Sequence, residues 1–397
     1  MKKWLVALTI ICGAGFLTSA SLAGKIYFQG ANIYTDYDKK NIDLTNINNI
    51  YINSDIPVEI KPTTGEAYVE FNQNFEDILG KNPEFELTVE NKDKSCYINL
   101  NQTKDIEIWF MIKKDEAALT VYLPTKALDT LQINHESYRR WNYEIPQIDL
   151  TGIDIKNLEI AQNYTAVSLD GKYENIDITS GGSSTVKINS KQKANVRLEG
   201  EATYTLDGLF ETVQINGRYE PIKINTLEPA KVNIEAYRSN IKLEGSYSSV
   251  KVLGDDNVIN VKTATLSDID ITNTYGNIVL DGPLNMVKVN NECSEIDIQT
   301  TTNPKSIEVS GEQNNTVLRL PSNIPGFKIM YMQGNTNDYG YEMNQDGEYI
   351  QTSRINSDFT LNKVNNNTYT YGDSSSKLML EVESGLRIVD NGYMSAK

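Results

Sequence analysis

The sequence predicts an all-β chain wound as a right-handed parallel β-solenoid, with coils of about 19 residues and β-rich caps at both ends. Three observations carry that expectation. Two interleaved series of aliphatic-polar-aliphatic units run along the chain, both keep one period, and the gaps between them are too short and too polar for helices. The first series reads Leu158-Glu159-Ile160, Ile176-Asp177-Ile178, Val196-Arg197-Leu198 and Val213-Gln214-Ile215, then Val232-Asn233-Ile234, Val250-Lys251-Val252, Ile269-Asp270-Ile271, Val287-Lys288-Val289 and Ile307-Glu308-Val309. Its steps are 18, 20, 17, 19, 18, 19, 18 and 20. The second pairs Ile148 with Leu150, Val167 with Leu169, Val186 with Ile188, Tyr204 with Leu206 and Ile222 with Ile224. It continues through Ile241/Leu243, Ile259/Val261, Ile278/Leu280 and Ile296/Ile298 to Leu318/Leu320, with steps of 19, 19, 18, 18, 19, 18, 19, 18 and 22.

Alternation at period two turns one face of each short strand inward. Such strands cannot stand alone, but stacking equivalent ones about 4.8 Å apart satisfies the backbone and merges the aliphatic columns into one core. Turns at Gly181-Gly182-Ser183-Ser184, Asp255-Asp256-Asn257 and Asn314-Asn315 separate them. A hairpin meander would show the alternation without a fixed spacing between every second strand. Right-handed coiling follows from the general preference for right-handed crossovers.

In chain order, residues 1–23 read as a targeting segment. Lys2 and Lys3 precede an apolar stretch over 4–17, and Ser21-Leu22-Ala23 fits a cleavage site. The stretch 4–23 is also long enough to span a bilayer, so signal peptide and retained N-terminal anchor both stay open, and either exports the remainder. Ile11 before Cys12 argues against a lipoprotein, and the C-terminus shows no hydrophobic sorting tail. Residues 24–40 read as a linker. Over 41–130 strands are expected at 50–53, 58–61, 67–71, 85–90, 96–100, 106–113 and 119–123, without the 19-residue step, as irregular first coils or a cap over an open edge. The repeats occupy 131–321. Over 322–397 come further coils and a cap, with strands at 327–332, 359–361, 368–371 and 377–389 around an exposed loop at 334–340.

Lys+Arg 37 against Asp+Glu 53 leaves a net charge of −16, which disfavours nucleic acid and anionic lipid surfaces. One histidine and three cysteines give no material for a His/Cys metal centre or thiol catalysis, so no catalytic residue, metal or cofactor is expected. Cys96 and Cys293 are expected as reduced, buried thiols. The outward residues of the first series, Glu159, Asp177, Arg197, Gln214, Asn233, Lys251, Asp270, Lys288 and Glu308, alternate in sign from Lys251 onward and predict a cross-strand ion ladder. Glu159 and Asp177, one coil apart, are the one pair that could flank a glycosidic bond, with Arg197 placed to neutralise them. Asp255-Asp256-Asn257 and 344–348 are oxygen-rich but lack the ligand alternation of a calcium loop, so turn chemistry explains them.

One interruption stands out. Leu131 and Ile148 are 17 residues apart, and the insertion holds the only histidine, His135, with Tyr138, Arg139, Arg140, Trp141 and Tyr143. Aromatics beside arginine dominate recognition surfaces, which makes these five the candidate binding residues; a loop folded over the first coil is the plainer role. Tyr164, Tyr219, Tyr237 and Tyr275 fall five or six residues after strand starts, near one corner, where packing on the next coil is expected and a glycan-binding stripe is the alternative.

The Lys-Lys leader, the aliphatic-x-aliphatic coils and Leu318-Arg319-Leu320-Pro321 followed by Gly326-Phe327-Lys328-Ile329 resemble the bacterial putative-adhesin family, a cell-envelope β-solenoid domain of unknown function. The segment 378–388 is similar to that family's final coil. The resemblance covers roughly 41–390 and implies an extracytoplasmic protein, often with an N-terminal anchor, and no catalytic residues to carry over. The chain departs from it in having few Gly-Asp/Asn turns and in the 134–144 insertion. The expected function is therefore a non-enzymatic surface protein, an adhesin or binding scaffold, with a cell-envelope or host-surface protein or glycan as partner. A β-helix polysaccharide lyase or hydrolase is the alternative, and a membrane-anchored envelope-stress regulator a further one.

Overall fold

The computed structural model describes residues 32–77, 84–104, 112–135, 145–311, 314–332, 341–343, 349–351, 355–365, 368–373, 376–381 and 385–390. Every regular element among them is a β-strand. The chain divides into two compact units, 1–126 with 132–149, and 127–131 with 150–397.

The larger unit is the solenoid. In its first column Leu158 lies beside Ile176, followed in register by Val196, Val213, Val232, Val250, Ile269, Val287 and Ile307, all parallel. Its second column runs Val167, Val186, Tyr204, Ile222, Ile241, Ile259, Ile278, Ile296. All these side chains are buried, each stabilising the stack by about 1.5–3 kcal/mol before entropy is counted. Four strands, Ser184–Gly200, Ala202–Arg218, Ile222–Tyr237 and Asn240–Asp255, run through both columns and bend between them.

The steps of the first series alternate short and long, and the bend explains why. Two residues past the second-column pair, neighbouring coils carry Gly171, Ser190, Gly208, Thr226, Gly245, Thr263, Gly282 and Thr300 in turn. After each glycine the chain turns at once and sends a large side chain inward two residues later: Tyr173, Phe210, Tyr247 or Leu284, all buried. After each hydroxyl the turn is two residues wider. Ser190, Thr263 and Thr300 brace it by donating to the carbonyls of Gln192 (2.7 Å), Thr265 (2.8 Å) and Thr302 (3.0 Å). The inward residue is then small. Phe210 stacks beside Ala194, Tyr247 beside Ala230, Leu284 beside Ser267. Large and small side chains thus alternate along the column, as close packing requires. The structural repeat is a pair of coils, and the glycines recur every 37 residues.

At the C-terminal end the register corrects the sequence reading. Ile296 and Ile298 face Thr316 and Leu318, not Leu318 and Leu320, so the last step is 20 rather than 22. Thr316 takes an aliphatic position, fully buried, and its hydroxyl has no hydrogen-bond partner among the described residues. Stack order also leaves chain order here. Leu378 lies between Ile307 and Ile329, and Leu386 between Thr316 and Ile355, so the coil at 376–390 is interposed. Antiparallel strands Thr368–Gly372 and Asn362–Asn365 then continue the sheet from Gly326–Met332. They replace an open parallel edge, the feature that invites aggregation.

The smaller unit uses the same device. Ile52 faces Ile98, and Ile60 faces Val121 on one side and Ile148 on the other, so the coil at 49–63 is also interposed. Coils adjacent in the stack are distant in sequence, which is why no 19-residue step exists here. Antiparallel strands cover the edges: Glu84–Lys92 on Ser95–Lys104, and Asn32–Ile42 on Ala67–Asp77 on Ile112–Pro124.

Cys96 is buried and Cys293 exposed, and neither forms a disulfide, which corrects the expectation of two buried thiols. Cys293 occupies a left-handed corner (φ 52°) that points it outward. Burial pushes the Cys96 thiol up to about 11, so it stays protonated and unreactive. Maleimide at neutral pH should label Cys293 in the native protein and Cys96 only after denaturation, as read by peptide mass mapping. Equal labelling of both would contradict the fold near residue 96.

Candidate binding face

Of the insertion, only 134–135 and 145 onward belong to the described residues; Tyr138, Arg139, Arg140, Trp141 and Tyr143 lie outside them. His135 is buried, its Nδ1–H donating to the Ser54 carbonyl at 3.1 Å. Burial lowers its pKa and outweighs the Ser54 bond and the Asp55 charge, which both raise it. A folded-state value below the unfolded one means that His135 supports the fold above pH of about 6.5 and that this support is lost as pH falls through the depressed folded value. The extra loss of stability below that pH should disappear in His135→Gln, measured as unfolding midpoint against pH. An unchanged slope would assign it to carboxylates.

The outward row of the first column is in register as expected: Glu159, Asp177, Arg197, Gln214, Asn233, Lys251, Asp270, Lys288, Glu308. The ion ladder from Lys251 onward does not form. Among the described residues the row's ion pair is Arg197 to Asp177 at 3.1 Å, with Arg197 also reaching Glu199 at 3.2 Å. At the strand spacing of about 4.8 Å exposed side chains of this kind gain little by pairing. Arg197 therefore occupies one of the two carboxylates that a glycosidase reading would need.

The tyrosines sit where a left-handed residue turns the chain from one column to the next. Tyr164 (φ 53°), Tyr219 (φ 63°), Arg238 (φ 52°) and Asp256 (φ 59°) occupy equivalent corners. That backbone projects Tyr164 and Tyr219 outward, Tyr275 precedes the left-handed Gly276 (φ 105°), and all three tyrosines are exposed. Tyr219 stands edge-on to Tyr237, ring centroids 5.6 Å apart, and Arg238 lies over the Tyr237 ring. Asp256 pairs with Arg238 at 3.1 Å, and Asn257 is buried, donating to the Ala236 carbonyl. The acidic turn is thus structural. The second oxygen-rich turn, 344–348, lies outside the described residues, and among those described no group of three metal-ligating side chains is gathered.

Three consecutive coils present nine outward side chains as a grid: Gln214, Asn216, Arg218; Asn233, Glu235, Tyr237; Lys251, Leu253, Asp255. Spacings are about 4.8 Å between coils and 6.6 Å along the strand. Two adjoining grooves of about 490 and 380 Å³ lie over it, the second reaching Tyr219. The coils preceding the grid spend their polar groups on each other. Asn175 donates to Asn157 (2.9 Å), Asn195 to Asn175 (3.3 Å) and Thr212 to Asn195 (2.8 Å). In the grid, Gln214, Asn216, Arg218, Asn233, Glu235 and Lys251 form no side-chain hydrogen bond or ion pair with the described residues. Asp255 Oδ1 is buried and also lacks a partner among the described residues. In the sequence Gln214, Asn233 and Lys251 stood out only as members of the outward row, Asp255 only as part of an oxygen-rich turn, and Asn216, Arg218 and Glu235 not at all; the absence of internal partners is a property of the folded face.

No protein-family model matches the chain, and neither does any curated protein. Two solved bacterial structures align with it. One is described as a putative cell adhesion protein from Clostridium sporogenes (11% identity, 90% of this chain and 98% of that one, TM-score 0.19). The other is described as a putative adhesin from Parabacteroides merdae (12% identity, 71% of this chain and 95% of that one, TM-score 0.30).

Proposed function

We propose that the chain is a non-enzymatic binding or scaffold module of a bacterial cell envelope. It is exported through its N-terminal segment and presents the outer face of the first column to a glycan or protein of the envelope or a host surface. The carrying observation is the grid: hydrogen-bonding groups exposed in register with no partners of their own, which is what a recognition surface requires and a merely solvated face does not. The purified chain should bind members of a panel of wall glycans, host glycans and matrix proteins, measured on an immobilised array. Uniform failure would leave a structural role and remove the binding one.

The register of Glu159 beside Asp177 favours a second reading, a polysaccharide-cleaving enzyme. Against it stands the Arg197 bond to Asp177. Turnover of a polysaccharide that Asp177→Ala abolishes would reverse the ranking.

A further inference from the structure

The geometry points to a neutral polysaccharide as the ligand of the three-coil grid, with a sugar ring seated against Tyr219 and its hydroxyls on Asn216 and Glu235. This rests on the binding reading above and names its ligand class.

Charge comes first. Arg218 and Lys251 against Glu235 and Asp255 sum to zero, with no ion pair among them. A chain of net charge −16 repels an acidic polymer, and a locally neutral face offers no compensating cationic patch. A basic protein partner would be drawn to a surplus of carboxylates, which the grid lacks.

Hydrogen-bonding chemistry comes second. Amides, carboxylates and a guanidinium are planar groups that donate or accept in pairs, matching adjacent ring hydroxyls that do both. Asn216 and Glu235 are exposed side chains of the groove lining that hold no hydrogen bond among the described residues, so both are available to ring hydroxyls. The third element is Tyr219, 56% exposed at the groove's rim, with an apolar ring for the C–H face of a pyranose.

The test uses the full chain in affinity electrophoresis through gels containing neutral glucan, galactan or mannan, with a polyuronate as the acidic arm. At least one neutral polymer should retard the protein and the polyuronate should not. Tyr219→Gly removes the ring while suiting the positive φ, so the corner should fold; Glu235→Gln keeps shape and removes charge. Each should weaken retardation by about tenfold or more, whereas Lys187→Ala on the second column's outer face should change nothing. Retardation insensitive to Tyr219→Gly and Glu235→Gln would overturn the site while leaving the binding function. Binding of proteins but of no polysaccharide would overturn the ligand class alone. Failure with every glycan and protein probe would remove both.

Discussion

Gly245→Val should lower the unfolding free energy of the solenoid by about 4 kcal/mol or more, the range reserved for backbone collisions and forced φ angles. Gly245 sits at φ +113°, which valine rarely adopts, and a Cβ there would run into the Thr226 carbonyl and stand 2.7 Å from the Thr226 nitrogen. Backbone of the adjacent coil cannot step aside without breaking its own ladder. Because each coil contacts only its neighbours, the damage should be local: hydrogen exchange should rise over the coils between 226 and 263 first. Gly65, in an exposed turn with only a distant Thr63 contact at 3.8 Å, is the control, and Gly65→Ala should cost little. Equal midpoints for Gly245→Val and the parent in chemical denaturation would refute the tight-corner account of the two-coil repeat.

The second large effect is expected at Tyr247, one of the largest fully buried side chains. Its hydroxyl lies 2.7 Å from the Glu244 carbonyl and 2.9 Å from the Ile224 carbonyl of the preceding coil, and its single proton is shared between them. Burial raises its pKa well above the usual phenol range, so it remains a donor at any working pH. Tyr247→Ala should cost about 3–5 kcal/mol as a cavity, and Tyr247→Phe about 1–3 kcal/mol for the unsatisfied carbonyls. The neighbour in the column is Ala230, so Ala230→Leu should recover part of the loss in the Tyr247→Ala background while overpacking the parent. Purely additive effects in that double-mutant cycle would mean that large and small residues do not share one volume.

The aliphatic columns from 158 to 309 were readable in advance because inward residues alternate at period two and the coil length repeats. The alternation of short and long steps was present in the same numbers. Its cause was not, since a glycine reveals its purpose only once a carbonyl lies where its Cβ would be. Thr316 shows the opposite failure: a polar residue at an aliphatic position shifted the apparent register by two residues, and only pairing with Ile296 placed it. At the face, outward rows were legible but their partners were not. Lys251 and Asp270 alternate in sign yet form no pair, while Arg197 and Asp177 do.

Over the repeats the sequence by itself determined the strand identity, the inward face and the coil length, because these are local properties of side-chain alternation and turn chemistry; outside them it missed the strand Asn32–Ile42, read as linker, and placed one at 359–361 where the chain turns. Tertiary structure alone decided the order of coils at both ends, where 49–63 and 376–390 are interposed, and which outward groups were left uncommitted. The physical reason is that a parallel strand edge offers the same hydrogen-bonding pattern to any coil. Stack order and surface partnering are therefore settled by competition among distant segments, which no local pattern records.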